Sequence, residues 1–170
     1  ASVIRFDKAG NLEAEETNKL LSKKLSKSQH AVIPGFYGAY EDGRVKTFSR
    51  GGSDITGSIV ARAVEADLYE NWTDVSGFLI ADPRIVKGSK SIETITYKEL
   101  RELSYMGASV LHEDAIFPVR QAGIPINIKN TNSSTPMRTY RIICIIPNFD
   151  TIEKEKRNYH VRKKTRISRK

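Results

Sequence analysis

The sequence predicts an α/β fold built on a largely parallel sheet. Three observations lead there. Segments of strand and helix character alternate between residues 11 and 129, each apolar run is short, and turn-forming residues separate them. At 170 residues the chain can bury a core of its own, and it carries no internal repeat or low-complexity tract.

Taken in order, NLEAEETNKLLSKKLSK (11–27) predicts an amphipathic helix with Leu12, Leu20, Leu21 and Leu25 as its apolar stripe. Its glutamates lie near the start and Lys23, Lys24 and Lys27 near the end, as the helix dipole favours. AVIPGF (31–36) predicts a short strand closed by Pro34 and Gly35, and YEDGRVKTF (40–48) carries the Asp-Gly signal of a hairpin. ITGSIVARAVEA (55–66) predicts a second helix, with Ser53 or Asp54 as its N-cap and Ile55, Ile59, Ala63 and Ala66 on one side. DLYENW (67–72) predicts a strand that opens into the loop TDVSGFLIADPRIV. TYKELRELSYMGASVL (96–111) predicts a third helix, and the alternation of Ile124, Ile126 and Ile128 in IPINIK predicts another strand. After about residue 132 the character changes to a turn-rich stretch and the strand-like run RIICIIP (141–147), so a division is expected near residue 139, between 1–139 and a tail of 140–170.

The net charge of +8 is a property of the tail. Residues 151–170 hold nine Lys or Arg against Glu153 and Glu155, which leaves the rest of the chain nearly neutral. Such a tail either binds polyanions without sequence preference or is simply a solvated end, and no specific nucleic-acid partner is expected. No apolar run approaches the roughly 20 residues that span a bilayer, and Cys144 is the one cysteine. The expectation is a soluble, cytoplasmic protein with no membrane partner. His30, His112 and His160 lack metal-ligand spacing, so no protein-held metal site is expected, and Cys144 reads as a small core residue.

Two stretches can carry chemistry. In RGGSD (50–54) two glycines let the backbone approach a ligand, and the following helix presents N–H groups and a positive dipole end. Arg50 can grip a carboxylate through two bonds, and Ser53 can add a hydroxyl. An ordinary loop with an N-cap fits those residues equally well. In WTDVSGFLIADPR (72–84) a strand end opens into Thr73-Asp74 and then Asp82-Pro83-Arg84, where open α/β sheets bind ligands. Arg84 could meet a phosphate there; a solvated loop is the plainer alternative.

Together VIPGFYG (32–38), TFSRGGSD (47–54), ADLYENWTDVSGFLIADPRIV (66–86), ELSYMGASVLHEDAIFPV (102–119) and GIPINIKNTN (123–132) resemble aspartate kinase, a branch of the amino acid kinase superfamily. The resemblance covers about residues 1–132 and corresponds to the C-terminal, nucleotide-binding half of the catalytic domain. It implies part of a three-layer α/β/α sandwich of the carbamate kinase-like type. It also implies ATP-dependent phosphorylation of the β-carboxylate of L-aspartate to 4-phospho-L-aspartate, in lysine, threonine and methionine biosynthesis, with Mg²⁺ carried by the nucleotide. By resemblance Arg50, Gly51, Gly52 and Ser53 hold the substrate's carboxylates and Asp54 organises the reacting centre. Thr73, Asp74, Leu79, Arg84 and Ser109 lie where the nucleotide is contacted.

The sequence also departs from the family pattern. The N-terminal Lys-Phe/Tyr-Gly-Gly segment, its phosphate-stabilising lysine and an acidic substrate-binding residue have no counterpart in it. Ser109 stands where many members have lysine, and Leu79 where many have tyrosine. Pro136-Met137-Arg138-Thr139 replaces a Pro-Gly-Thr strand start, and no ACT regulatory domain follows. The expectation is a truncated chain, or one frameshifted after about residue 132. Such a chain is inactive alone, binds nucleotide at most, and associates with another copy or with the absent half.

Overall fold

The computed structural model describes residues 3–75, 77–82, 84–105, 111, 113–132, 140–143 and 165–167. In chain order the elements are β1 (Arg5–Phe6), α1 (Ala14–Leu25), β2 (Tyr37–Tyr40), β3 (Val45–Thr47), α2 (Gly52–Ala63), β4 (Tyr69–Thr73), β5 (Phe78–Leu79), β6 (Ser91–Ile92), β7 (Thr94–Thr96), α3 (Tyr97–Tyr105), α4 (Glu113–Gln121), β8 (Ile126–Asn130), β9 (Tyr140–Ile143) and β10 (Thr165–Ile167). The principal sheet runs β10-β4-β8-β9-β7. Its pairs are parallel except β8 with β9, which is antiparallel. A smaller sheet, β1-β2-β3, pairs β1 with β2 in parallel and folds β3 back at the Asp42-Gly43 turn. The alternation of elements in the sequence thus does yield a mostly parallel sheet.

Helix α2 is the wall between two cores. Asp54, Gly57, Ser58 and Ala61, spaced three and four apart, are all buried, and those of them with recorded contacts face β4 and α4. Ala61 joins Tyr69, Leu100, Ile116, Ile126 and Ile142 in the larger core. Ile59, Val60 and Ala63 join Ile4, Phe6, Leu21 and Phe48 in the smaller one. Nine of the twelve α2 residues are buried, as expected of a helix packed on two sides.

In α1 the buried positions are Thr17 and Leu21 rather than the full leucine stripe, and the Arg5 amide donates to Thr17 Oγ1 at 2.9 Å. That bond ties β1 to the helix and explains a threonine with no exposed surface. Three features differ from the sequence-based expectation. AVIPGF is not a strand; the strand is β2, beginning at Tyr37, and 31–36 is irregular. The loop after β4 contains β5, which pairs antiparallel with β6. Finally α4 was not apparent from periodicity, because Pro118 interrupts it. The Val119 amide turns to Ser58 Oγ (3.2 Å), so a side chain of α2 supports the helix just beyond its proline. The division expected near residue 139 falls between β8 and β9, which are paired strands of one sheet. No helix among the described residues is long and apolar enough to cross a membrane.

Candidate active site

The RGGSD turn is built from its glycines outward. β3 ends at Thr47, Phe48 is buried, and Ser49 and Arg50 emerge into solvent. Gly51 then takes φ +56°, a left-handed conformation that reverses the chain into α2 at little cost only without a side chain. Gly51 is therefore the N-cap of α2, and no side chain caps it. This corrects the assignment of Ser53 or Asp54 as cap; both lie in the first helical turn, where N–H groups have no intrahelical acceptor.

Two segments clamp that turn. From above, the Phe36 amide donates to Thr56 Oγ1 (3.0 Å), whose hydroxyl in turn donates to the Gly52 carbonyl (2.7 Å). Phe36 holds φ +83°, uncommon for a residue with a bulky side chain, and its half-exposed ring lies against Gly52. The irregular conformation of 31–36 follows from this docking. From below, β4 presents Tyr69 and Asn71 to α2. Asn71 Nδ2 donates to Asp54 Oδ1 (2.9 Å) and to the Tyr69 hydroxyl (3.0 Å), and that hydroxyl reaches the Asp54 carbonyl at 3.5 Å. Gly57 allows the approach: a Cβ there would lie 2.5 Å from the Tyr69 hydroxyl. Asp54 is 7% exposed and Asn71 4%, so this polar cluster is held inside the protein.

At the carboxyl end of β4, the Thr73 carbonyl accepts from the Thr131 amide (2.8 Å) and hydroxyl (3.0 Å), and Thr73 Oγ1 donates to Asp74 (3.1 Å). Arg84 is folded back on Asp82 through Nε and Nη2, at 2.6–3.1 Å. The guanidinium and the Arg84 amide hold the Asp82 carboxyl below the usual carboxylate range. That pair is solvated, with the Arg84 side chain 88% exposed. Leu79 is half-buried in β5, and Ile80, Ile85 and Val86 in the same loop are exposed. Ser109 lies outside the described residues.

Thus β4 joins the two predicted stretches: Asp54 is bonded to its middle, and Thr73 and Asp74 lie at its end. Arg50 and Arg84 are in solvent on the flanking loops. On the other sheet face Lys129 Nζ meets Glu70 at 2.5 Å and stands 5.1 Å from the Trp72 ring centre. Sequence reasoning passed over Asn71, Tyr69 and Thr56. The available signal was an asparagine two residues after Tyr69, in phase with it on the buried side of YENW. A concavity of about 860 Å³ lies elsewhere, between β1 and the β2–β3 hairpin near Asp7, Tyr40 and Arg44. It is open, and its Asp42 and Arg44 already pair with each other, so the chemistry is better sought at α2 and β4.

Residues 2–130 match the sequence profile of the amino acid kinase family. The chain is 55% identical over 102 residues to aspartokinase 3 of Bacillus subtilis, a match covering 60% of this chain and 22% of the relative. Among solved structures it is similar to Clostridium acetobutylicum aspartate kinase, at 61% identity and a TM-score of 0.79, over 85% of this chain and 33% of the other. It is also similar to Escherichia coli aspartokinase III in complex with aspartate and ADP, at 29% identity and a TM-score of 0.74, over 86% and 34% of the respective chains. The chain therefore spans between a fifth and about a third of the proteins it resembles. Profile, relatives and fold agree with the α/β architecture described above, and the chain belongs to the amino acid kinase family.

Proposed function

We propose that the chain forms the α2–β4 part of an aspartate kinase site, which transfers the γ-phosphoryl group of ATP to the β-carboxylate of L-aspartate. The observation that carries this reading is the convergence of the α2 N-terminus, with the buried Asp54, on the middle of β4, the strand whose carboxyl end carries Thr73 and Asp74. In phosphoryl transfer a protein contributes positioning and charge neutralisation more than covalent chemistry. The N-terminal dipole of α2 suits an anion, and Arg50, exposed at its mouth, suits a carboxylate that arrives from solvent. Gly51 and Gly52 supply backbone at close range, and Ser53 adds a hydroxyl. Asp54 stands beside the reacting centre with its carboxylate oriented by Asn71. Thr73, Asp74, Leu79 and Ser109 flank the nucleotide, and Arg84 reaches a phosphate by exchanging its solvated bond to Asp82 for one to the ligand.

Mg²⁺ on the nucleotide neutralises phosphate charge. Among the described residues no group of three His, Cys, Asp or Glu is arranged to hold a metal. The second reading is a non-catalytic part that binds nucleotide at most; the chain spans about a third or less of the relatives it matches. One experiment separates the two: trapping of aspartyl phosphate by hydroxylamine in the presence of ATP, Mg²⁺ and L-aspartate, alongside calorimetric titration with Mg·ADP. Hydroxamate formation supports the kinase, binding without hydroxamate supports the second reading, and neither result removes both.

A further inference from the structure

We propose that Asn71 is a positioning residue, which fixes the carboxylate of Asp54 for the reaction; the proposal rests on the reading that Asp54 stands at the reacting centre. Asn71 occupies a sheet position facing α2, where its partner across β8 is the fully buried Ile128. Packing alone calls for an apolar side chain there. Instead an amide is buried, and it is buried at a cost. Both hydrogens of Nδ2 have acceptors, Asp54 Oδ1 and the Tyr69 hydroxyl, while Oδ1 has no hydrogen-bond partner. The amide orientation follows from chemistry: turned the other way, Oδ1 would face a carboxylate, which offers no hydrogen when ionised.

The Tyr69 hydroxyl completes the device. It accepts from Asn71 and points its own hydrogen at the Asp54 carbonyl, so residue 54 is held at both side chain and backbone from one strand. Gly57 leaves the space in which this clamp closes. A carboxylate in the first turn of a helix has several rotamers available; the Asn71 bond selects one. Its action on substrate runs entirely through Asp54.

The test compares the full chain with Asn71→Leu, which removes the donor at similar size, and with Asn71→Asp, which keeps the shape but sets an acceptor against Asp54. In the hydroxamate assay Asn71→Leu lowers kcat about tenfold while KM for ATP stays within about twofold, as loss of orientation without loss of nucleotide binding requires. Asn71→Asp falls further. Independently, the Asn71 side-chain amide in ¹⁵N spectra is slow to exchange and shifts when Asp54 is changed to Ala. A kcat for Asn71→Leu within twofold of wild type, a loss confined to KM, or an amide signal indifferent to Asp54→Ala overturns the proposal. If the unaltered chain forms no hydroxamate, its catalytic assignment fails separately. Calorimetry with L-aspartate then decides on Asn71: equal loss of binding in Asn71→Leu and Asp54→Ala supports the clamp, and unchanged binding in Asn71→Leu overturns it.

Discussion

The two halves of the candidate site are built by different means. At α2 and β4 the polar groups are buried, bonded to one another and framed by Phe36, Tyr69 and Gly57. In the loop from Asp74 to Lys90 the Asp82–Arg84 bonds lie in solvent, and the apolar residues Ile80, Ile85 and Val86 face outward. The first half is fixed by packing, whereas the second is held by bonds open to solvent. An enclosed and an exposed element thus meet along one strand, β4.

The contrast can be broken at four points. The largest effect is expected at Gly57. Gly57→Val places a branched side chain against the rigid Tyr69 ring, and should lower the unfolding free energy by about 2–3 kcal/mol in urea titration. Next, Glu70→Ala strands Lys129 on the other face of β4. Both side chains are mostly but not wholly buried, at 20% and 13% exposure, so the loss should be roughly 1–2 kcal/mol, less than for a fully enclosed pair. Tyr69→Phe removes one hydroxyl from the clamp and should cost about 1 kcal/mol, with slower turnover as well, since Asn71 loses an acceptor. Arg84→Ala should leave the urea midpoint unchanged while weakening Mg·ADP binding in calorimetry. Binding that survives it intact would place the phosphate elsewhere.

A finer test uses pH at the start of α3. Glu99 accepts from the Thr96 amide (2.8 Å) and hydroxyl (2.7 Å), and the Thr96 hydroxyl receives the Glu99 amide. This capping box lowers the Glu99 pKa, the backbone bond contributing most. A carboxyl whose folded pKa is depressed adds stability above its unfolded pKa, near 4.5, and loses it as pH falls through the lower folded value. Glu99→Gln should therefore narrow its difference from wild type below pH 4.5 in thermal melts. A constant difference would assign the effect to packing.

Much of the fold was legible because periodicity reports burial. α1, α2 and β8 follow from it, the hairpin follows from its Asp42-Gly43 turn, and β4 was read from DLYENW. AVIPGF misled because an apolar run is equally suited to a segment that docks on a helix through one backbone N–H, and its strand-like composition does not report Phe36's positive φ. α4 escaped because its proline is supported by Ser58, a partner 61 residues away along the chain. At the site, Arg50, Asp54 and Thr73 were visible through motif chemistry. Asn71 was not, since its role depends on which residue lies across from it, and sequence order does not carry that information.

The position of α2 between two cores has a consequence for how the protein opens. Neither core can lose this helix and remain closed, because Ala61 seals one while Ile59, Val60 and Ala63 seal the other. The two cores are therefore expected to unfold as one cooperative unit, with the α2 amides beyond the first turn exchanging with solvent through global opening. A substitution as distant as Phe6 then erodes the lifetime of the Gly51 turn, and the site inherits its durability from a sheet that contributes no functional group to it.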